Sequence, residues 1–256
     1  MSVVFEDEWV TLVHGDYRDY DVATIAGGHI DAIITDPPYG ETNLGWDRWV
    51  PGCVDDAATI ANSLWSFGTF RMFHEHAAEF ARWKYGQDII WEKQNGTGLL
   101  RDRFRRVHET AVQWYRGDWA SIYSEDPLTT EDVAPRTIRK RAAKGAHLHG
   151  AIASSSYTTT TGGTKLIRSV MKVRSEHGRR PINETQKPLG IMLPIIETSV
   201  PPGGMVVDLF AGAATTAVAA RMLGRRCVAF EVREDQALKS AQRLASELVF
   251  PQVGNG

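Results

Sequence analysis

Hydrophobic residues along the chain fall into short runs that alternate with stretches of helical periodicity. The runs predict β-strands at residues 9–13, 30–35, 69–73, 88–91, 110–115, 205–209 and 227–230. The helical stretches predict α-helices at residues 18–26, 54–65, 76–84, 188–198 and 234–248, with an alanine-rich helix that ends at Leu223. Because strands and helices alternate, the pattern predicts an α/β fold built on a doubly wound sheet.

The alternation stops between residues 118 and 182. We therefore interpret residues 1–117 and 183–256 as two parts of one α/β domain, and residues 118–182 as an insertion in it. Within the insertion, residues 154–163 are almost all serine, threonine and glycine, a composition typical of a flexible tract that orders on binding a partner. An ordinary linker with a regulatory tail is the alternative.

Charge is unevenly distributed along the chain. The whole sequence carries a formal charge of −2, yet residues 136–187 hold twelve basic and two acidic residues, which gives this segment +10 and the remainder −12. So large a separation favours a polyanionic partner such as double-stranded DNA. The candidate DNA contacts in this segment are Arg139, Lys140, Arg141 and Lys144. A solvated basic face remains the alternative.

Several classes of protein are disfavoured by composition. The two cysteines, Cys53 and Cys227, are far apart, which argues against a disulfide scaffold or a zinc site and suits a reducing cytoplasm. The acidic N-terminus does not resemble a signal peptide, and no apolar run approaches the roughly 18 residues of a membrane span. We therefore expect a cytoplasmic protein with no metal and no membrane partner.

The most informative stretch is Asp36-Pro37-Pro38-Tyr39-Gly40, directly after the predicted strand at residues 30–35. Two prolines fix φ and remove two backbone donors, which leaves a stiff turn that exposes carbonyl oxygens. Such a turn can bind a planar ligand bearing an amino group, with the Tyr39 ring on its face and with Asp36 and the Pro37 carbonyl accepting its N–H groups. A strand-capping turn with a packed tyrosine is the alternative. The following loop, residues 41–52, is either a mobile flap or a surface loop with packed tryptophans.

A second candidate site lies near the other end of the sequence. The predicted strand at residues 205–209 leads into a turn of small residues and then a helix, an arrangement that lets backbone approach a nucleotide-type ligand. The next strand ends at Glu231, where an acid can accept hydrogen bonds from ribose hydroxyls. Between residues 92 and 106, a glycine-containing polar segment with four arginines indicates either phosphate contacts or a solvated loop.

Taken together, these motifs closely resemble the β group of DNA amino-methyltransferases, enzymes that use S-adenosylmethionine. The shared pieces occur in the same order in this chain: Gly15-Asp16, the D-P-P-Y loop, Trp91-Glu92-Lys93 with Asn95, His108-Glu109, Gln186-Lys187-Pro188 and Phe210-Ala211-Gly212. The resemblance implies a Rossmann-like sheet, a cytoplasmic prokaryotic or phage-encoded protein, and a base flipped out of the duplex onto Tyr39. It also implies that residues 118–182 recognise the target and that Asp36, Pro37 and Tyr39 are catalytic.

The resemblance further implies a set of binding residues. Residues expected around S-adenosylmethionine are Asp16, Asp36, Lys187, Pro188, Asp208, Phe210, Ala211, Gly212, Thr215 and Glu231. Further residues expected at the DNA are Lys93, Asn95 and Arg105.

Two departures from the family pattern occur in the turn, where Leu209 replaces a proline and Ala214 replaces the second glycine. The methyl group of Ala214 matters only if backbone approaches there or if φ is positive. A histidine that precedes the Q-K-P segment in the family is also absent.

Several alternatives concern the reaction. In the family, aspartate at the first loop position usually accompanies adenine N6, so Asp36 favours adenine over cytosine N4. A ring-carbon mechanism needs a nucleophilic cysteine, and Cys53 belongs to no such motif. A methyltransferase acting on RNA or protein, a DNA-binding protein with decayed catalysis, and a homodimeric assembly remain open.

Overall fold

The computed structural model describes residues 2–97, 102, 104–130, 136–140, 155–159, 163–174 and 186–246, with backbone alone at residues 95–97, 136–140 and 155–159. The chain divides into two compact units. The larger comprises Met1–Glu125 and Ser169–Gly256, and the smaller comprises Asp126–Arg168.

Strands and helices are numbered in the order in which they follow one another along the chain. The strands are β1 (Ser2–Glu6), β2 (Val10–His14), β3 (Ala32–Thr35), β4 (Ser63–Gly68), β5 (Lys84–Thr97), β6 (Arg106–Tyr115), β7 (Leu128–Thr129), β8 (Arg136–Lys140), β9 (Ser155–Thr159), β10 (Lys165–Leu166), β11 (Val170–Lys172), β12 (Met205–Asp208) and β13 (Arg226–Glu231). The α-helices are α1 (Val22–Ile25), α2 (Cys53–Ile60), α3 (Phe70–Glu75), α4 (Leu189–Ser199), α5 (Thr215–Met222) and α6 (Glu234–Ser246). Short 3-10 helices cover Tyr17–Asp19, Glu79–Arg82 and Trp119–Ser121.

The larger unit is built on one mixed sheet with the strand order β1-β2-β13-β12-β3-β4-β6-β5-β11. Strands β2, β13, β12, β3 and β4 run parallel, whereas β1 and β6 are antiparallel to their neighbours. In parallel strands the carboxyl ends share one edge of the sheet, so the loops after β3, β12 and β13 meet there. The predicted α/β doubly wound fold is confirmed.

Burial explains why the central strands are short apolar runs. Strands β3, β4 and β12 are buried along their full length, as expected for parallel strands covered on both faces. Successive side chains serve opposite faces: Ile34 and Val206 pack with the α4–α6 side, whereas Ile33 and Val207 pack with α1, α2 and α3. Two hydrophobic cores, one on each face of the sheet, therefore cover its parallel strands.

The predicted elements differ from the structure between residues 54 and 84. Residues 69–73, predicted as a strand, form most of α3, and Thr69 caps that helix by accepting the Met72 N–H at 3.2 Å. The strand is β4, which begins inside the predicted helix at residues 54–65. Because β4 is buried on both faces, its run of apolar and small residues lacks the alternation that identifies half-buried strands.

Other boundaries also differ. The predicted helix at 18–26 is a 3-10 turn followed by the short α1, and the one at 76–84 reduces to Glu79–Arg82. Strand β1 has no counterpart among the predicted strands, and β5 and β6 extend beyond the predicted 88–91 and 110–115.

The smaller unit contains two antiparallel pairs, β7 with β10 and β8 with β9. Its limits are narrower than the predicted insertion at 118–182, because the 3-10 turn at Trp119–Ser121 and strand β11 belong to the larger unit. Part of the serine- and threonine-rich tract, predicted to be flexible, forms strand β9. Arg141 and Lys144, and the side chains of Arg139 and Lys140, lie outside the described residues.

No helix in the described part of the chain is long and apolar enough to cross a membrane.

Candidate functional site

The D-P-P-Y loop and the small-residue turn lie side by side at the carboxyl edge of the sheet. They follow β3 and β12, which pair directly in parallel, with Val207 beside Ile33. Together they line one cavity of about 500 Å³. The predicted site residues that line it are Asp36, Pro37, Tyr39, Lys93, Lys187, Asp208, Phe210, Ala211, Gly212, Thr215 and Glu231. Two segments more than 170 residues apart in sequence therefore form one site.

A chain of alternating charges runs through one end of this cavity. The ammonium group of Lys187 binds the Asp36 carboxylate and lies 3.2 Å from Oε2 of Glu109. The other oxygen of Glu109 binds Lys93. Lys187 is only 6% exposed and Glu109 13%, so these charges are stable there because each has an opposite partner. The hydroxyl of Tyr39 donates to the second oxygen of Asp36.

The network shifts the pKa values of Asp36, Glu109 and Lys187. Burial raises the pKa of Asp36 above its ordinary value, although the positive charge of Lys187 opposes this. Burial also acts to raise the pKa of Glu109, but Lys187 and Lys93 together outweigh it and leave that pKa lowered. Burial alone would lower the pKa of Lys187, whereas Asp36 and Glu109 raise it overall. Lys187 and Glu109 are therefore an ion pair at neutral pH.

The Asp208 carboxylate at the end of β12 organises the turn that follows. It accepts hydrogen bonds from the Thr35 hydroxyl at 2.9 Å, the Thr216 hydroxyl at 2.6 Å and the Phe210 N–H at 3.1 Å. Burial raises its pKa to about 6 in spite of these bonds. Asp208 thus links β3, α5 and the turn.

The turn itself has left-handed backbone at two positions. Gly212 has φ +49°, and Ala214 has φ +57°, the only positive φ at a non-glycine among the described residues. The condition under which the Ala214 methyl would matter is therefore met in this protein. Leu209, the other departure from the family pattern, is buried in the core.

Glu231 faces the same turn from the end of β13. Its Oε2 accepts the Gly212 N–H at 2.9 Å, and its Oε1 accepts the Arg233 N–H at 2.9 Å. Burial raises the pKa of Glu231, and the bonds from Arg233 and Gly212 oppose that shift. Oε1 also lies 3.4 Å from Nε of the Arg233 guanidinium, whereas Oε2 keeps a further lone pair for a hydroxyl in the cavity.

The loop at residues 41–52 closes another side of the cavity and is tied down at several points. Asp47, 4% exposed, accepts the Gly40 N–H at 2.8 Å and the Thr42 N–H at 2.7 Å. Trp49 stacks on His76 with ring centroids 4.1 Å apart. Trp49 is thus packed, as the surface-loop interpretation expects, and Trp46 lines the cavity with Arg233 above its ring at 4.7 Å.

Some predicted residues do not line the cavity. Asp16 caps the 3-10 turn at Tyr17–Asp19 and pairs with Arg18 at 2.9 Å. Its neighbour Tyr17 packs edge-on against the Phe210 ring, with ring centroids 5.7 Å apart. Asp16 is therefore next in sequence to a residue that contacts the lining of the cavity. Pro188 is buried directly before α4, and Arg105 is exposed outside the cavity. The Asn95 side chain lies outside the described part of the chain.

Sequence reasoning missed several lining residues. These are Glu41, Trp46, Trp91, Arg106, Glu109, Gln186, Met192 and Arg233. Trp91, Glu109 and Gln186 had appeared only in matching motifs, and Arg106 only among the arginines of residues 92–106. The role of Glu109 depends on the antiparallel pairing of β5 with β6, which brings Lys93 near it. Arg106 pairs with Glu41 of the loop, with one nitrogen–oxygen distance of 3.0 Å. No local pattern relates these positions.

Both cysteines lie in the hydrophobic core rather than in the cavity. Burial raises the pKa of Cys53 to about 12, so its thiol is protonated and unreactive at neutral pH. Among the described residues, no cluster of His, Cys, Asp and Glu has an arrangement that could hold a metal ion.

The chain matches the family model of a DNA methylase (N6_N4_Mtase) over residues 30–242. It is 23% identical to the type II methyltransferase M.HinfI of Haemophilus influenzae, covering 93% of this chain and 68% of that protein. It is 22% identical to M1.MboII of Moraxella bovis, covering 80% and 85% respectively.

Solved structures share its fold. The crystal structure of the M1.HpyAVI–SAM complex superposes with a TM-score of 0.60 at 20% identity, covering 92% of this chain and 98% of the other. The PvuII DNA methyltransferase, which is cytosine-N4-specific, has a TM-score of 0.64 at 12% identity, with coverages of 99% and 91%.

Because the family model spans most of the sequence, the chain belongs to the DNA methylase family of N6 and N4 amino-methyltransferases. The resemblance found in the sequence motifs is thereby confirmed at the level of the family, whose name covers both the N6 and the N4 amino groups.

Proposed function

We propose that this protein transfers a methyl group from S-adenosylmethionine to the exocyclic N6 of an adenine flipped out of double-stranded DNA. The observation that carries the proposal is the shared cavity: Asp36, Pro37 and Tyr39 line it from β3, and Phe210 to Gly212 line it from β12. A methyl donor and an acceptor base must occupy adjoining positions for direct transfer. The site residues proposed for each ligand meet this requirement.

The turn after β12 fits the donor. Oε2 of Glu231 can accept a ribose hydroxyl in addition to the Gly212 N–H, and Phe210 offers an aromatic surface in the same cavity. When bound, S-adenosylmethionine supplies an electrophilic methyl group on a sulfonium. We propose that Lys187, Asp208, Ala211, Gly212 and Thr215 line its site, with Asp16 and Pro188 supporting the same region from just outside the cavity.

The D-P-P-Y loop fits the base. An aromatic amine is a weak nucleophile because its lone pair is delocalised into the ring. Asp36 and the Pro37 carbonyl, by accepting both N–H groups, favour a tetrahedral nitrogen whose lone pair is free to react. Tyr39 supplies an aromatic surface for the flipped base. Positioning and electrostatics then account for catalysis, and no covalent enzyme intermediate is needed.

Lys187 and Glu109 allow Asp36 to exchange partners. In the structure Asp36 already binds Lys187 and Tyr39. When an amino group approaches Asp36, Lys187 remains paired with Glu109, 3.2 Å away, so its charge is not left buried alone. We propose that this second pairing lowers the cost of admitting the base.

DNA contacts are proposed from charge. Lys93 and Arg106 line the cavity, while Asn95, Arg105, Arg139, Lys140, Arg141 and Lys144 are the further candidates from sequence. The smaller unit, Asp126–Arg168, is the proposed target-recognition region. Phosphate contacts by lysine and arginine position a duplex without reading its sequence.

Cytosine N4 is the second candidate, because the matching family model covers both N6 and N4 amino-methyltransferases. Asp36 at the first loop position favours adenine by the family resemblance. The test is to methylate genomic DNA with the purified protein and separate the nucleosides by mass spectrometry. Detection of N6-methyladenine supports the proposal, and detection of N4-methylcytosine favours the second candidate. If S-adenosylmethionine binds but neither product forms, the result favours a DNA-binding protein with decayed catalysis.

A further inference from the structure

Helix α6 buries three polar side chains on one face, Gln236, Ser240 and Arg243, at 3%, 0% and 6% exposure. Their spacing of four and three residues places them in a row along the helix. Polar groups in such positions are costly unless they are hydrogen-bonded. Their partners therefore indicate why a core-facing helix keeps them.

All three donate to the turn that lines the cavity. The Gly212 carbonyl accepts Nε2 of Gln236 at 3.0 Å and Oγ of Ser240 at 2.6 Å. The Ala213 carbonyl accepts Nη1 of Arg243 at 2.9 Å. Gly212 and Ala213 are the two residues before Ala214, and both line the cavity.

Ala214 has a reason to need this support. Its φ of +57° is left-handed, where the Cβ of any L-residue crowds the following carbonyl oxygen. Ala214 is also fully buried and precedes the first residue of α5. A conformation of this kind persists only where the surroundings over-determine it.

From these contacts we infer that Gln236, Ser240 and Arg243 are positioning residues for the methyl donor. Their hydrogen bonds fix the Gly212 and Ala213 carbonyls. They thereby keep the backbone of Ala214 left-handed, in the conformation of the turn that binds the methyl donor. Without these bonds the Ala214 backbone leaves the left-handed region, and only a fraction of molecules keeps the turn in its binding conformation. The apparent Kd for the donor then rises in inverse proportion to that fraction. This inference rests on the proposed function, because it takes S-adenosylmethionine as the ligand of the turn.

The experiment measures S-adenosylmethionine binding by isothermal titration calorimetry on the full-length protein. Ser240→Ala and Gln236→Met each remove donors to Gly212, and each should raise Kd roughly three- to tenfold. The turnover number at saturating donor should stay unchanged, since these residues do not touch the acceptor base. Gln242→Met, an exposed glutamine of the same helix, is the matched control and should bind as the wild type does.

The decisive measurement repeats both variants with Ala214→Gly. Glycine adopts positive φ without steric cost, so the increase in Kd should shrink to about twofold or less. An equal increase in both backgrounds, or unchanged Kd in both single variants, would overturn the inference and leave the proposed function standing. No binding by the wild type would overturn the proposed function and this inference together. Thermal unfolding identifies any variant that does not fold. If Ser240→Ala does not fold, the result for Gln236→Met decides the inference.

Discussion

At the scale of single residues, the site is defined by a few buried charges with assigned partners. Asp36 is hydrogen-bonded to Lys187 and Tyr39 in the structure, and Lys187 is shared between Asp36 and Glu109. In a cavity of low dielectric constant, removing one charge changes the electrostatic energy of each neighbouring charge. Single substitutions here separate chemistry from binding and stability.

The first prediction concerns Asp36. Asp36→Ala removes the proposed acceptor of the base amine, so the turnover number should fall by at least about a hundredfold. S-adenosylmethionine affinity should change little, because Lys187 keeps Glu109 as a partner. Methyl transfer to DNA and calorimetric donor binding are the measurements, and Asp118→Ala, an exposed aspartate, is the control. Turnover retained in Asp36→Ala would refute the assigned role.

The second prediction concerns Glu109. Glu109→Gln leaves Lys93 and the buried Lys187 without their shared carboxylate, so the free energy of unfolding should fall by about 3 kcal/mol. Urea denaturation at pH 7 measures it. The matched control is Glu92→Gln on the neighbouring strand, whose pair with Lys172 at 2.9 Å is exposed and should be worth under about 1 kcal/mol. Equal losses in the two variants would contradict a special role for Glu109.

The third prediction concerns Asp208 and pH. Its pKa of about 6 in the folded protein lies above the ordinary value of 3.8, so the folded state binds a proton more tightly than the unfolded state. This contribution to stability is present below pH 4 and is lost as pH rises to about 6. Relative to Asp208→Asn, the wild type should therefore lose about 2 kcal/mol across that window, measured by denaturation at each pH. A difference that stays constant from pH 4 to 6 would show that Asp208 does not titrate there.

At the scale of elements, loops at the carboxyl edge of the sheet are fixed by side chains from elsewhere. Asp47 accepts the N–H of Gly40, the residue directly after D-P-P-Y. Glu79 accepts the Trp49 indole N–H at 2.7 Å and the Gly52 N–H at 3.0 Å. The loop between β3 and α2 is thus held at its middle and at its end.

The fourth prediction follows from that anchoring. Asp47→Ala removes two bonds to a buried carboxylate, each worth about 1.5–3 kcal/mol, so local opening should become at least tenfold more frequent. Tryptic cleavage after the exposed Arg48 reports this opening. Asp55→Ala, which removes only an exposed pair with Arg82 at 3.5 Å, should leave the cleavage rate unchanged. Equal rates in wild type and Asp47→Ala would mean that other contacts hold the loop.

Element boundaries also show where periodicity succeeds. The predicted strands agree with β2, β3, β12 and β13 within about two residues, because each is a short apolar run next to glycine, proline or acidic residues. The prediction was wrong at residues 69–73, where a threonine cap starts α3. A short helix and a buried strand can have the same pattern of apolar residues in the sequence, and only pairing within the sheet distinguishes them.

At the scale of the whole molecule, charge is divided between segments. Residues 136–187 carry +10, but one member of that set, Lys187, is buried in the cavity and does not reach a surface partner. The smaller unit holds seven basic and three acidic residues and keeps a net positive charge. The smaller unit therefore keeps positive charge that is available to contact DNA, although Lys187 is buried in the site.

The fifth prediction tests that division. DNA affinity should fall steeply with salt, and the log–log slope should decrease by about one for each phosphate that a substitution leaves without its basic partner. Charge reversals at Arg139, Lys140, Arg141 and Lys144 should weaken binding at about 0.1 M salt and flatten the slope. Lys239→Glu on the exposed side of α6 is the control. Unchanged affinity after the four reversals would place the DNA elsewhere.

The family, the α/β class and the two motifs of the site can be inferred from the order of residues alone, because D-P-P-Y and the small-residue turn are local and each follows a strand. Which residues complete that site depends on how distant segments pack. Glu109 faces Lys187 and Lys93 because β5 and β6 pair, and Gln236, Ser240 and Arg243 reach the turn because α6 packs on it. Contacts between segments distant in sequence depend on packing, and no local period encodes them.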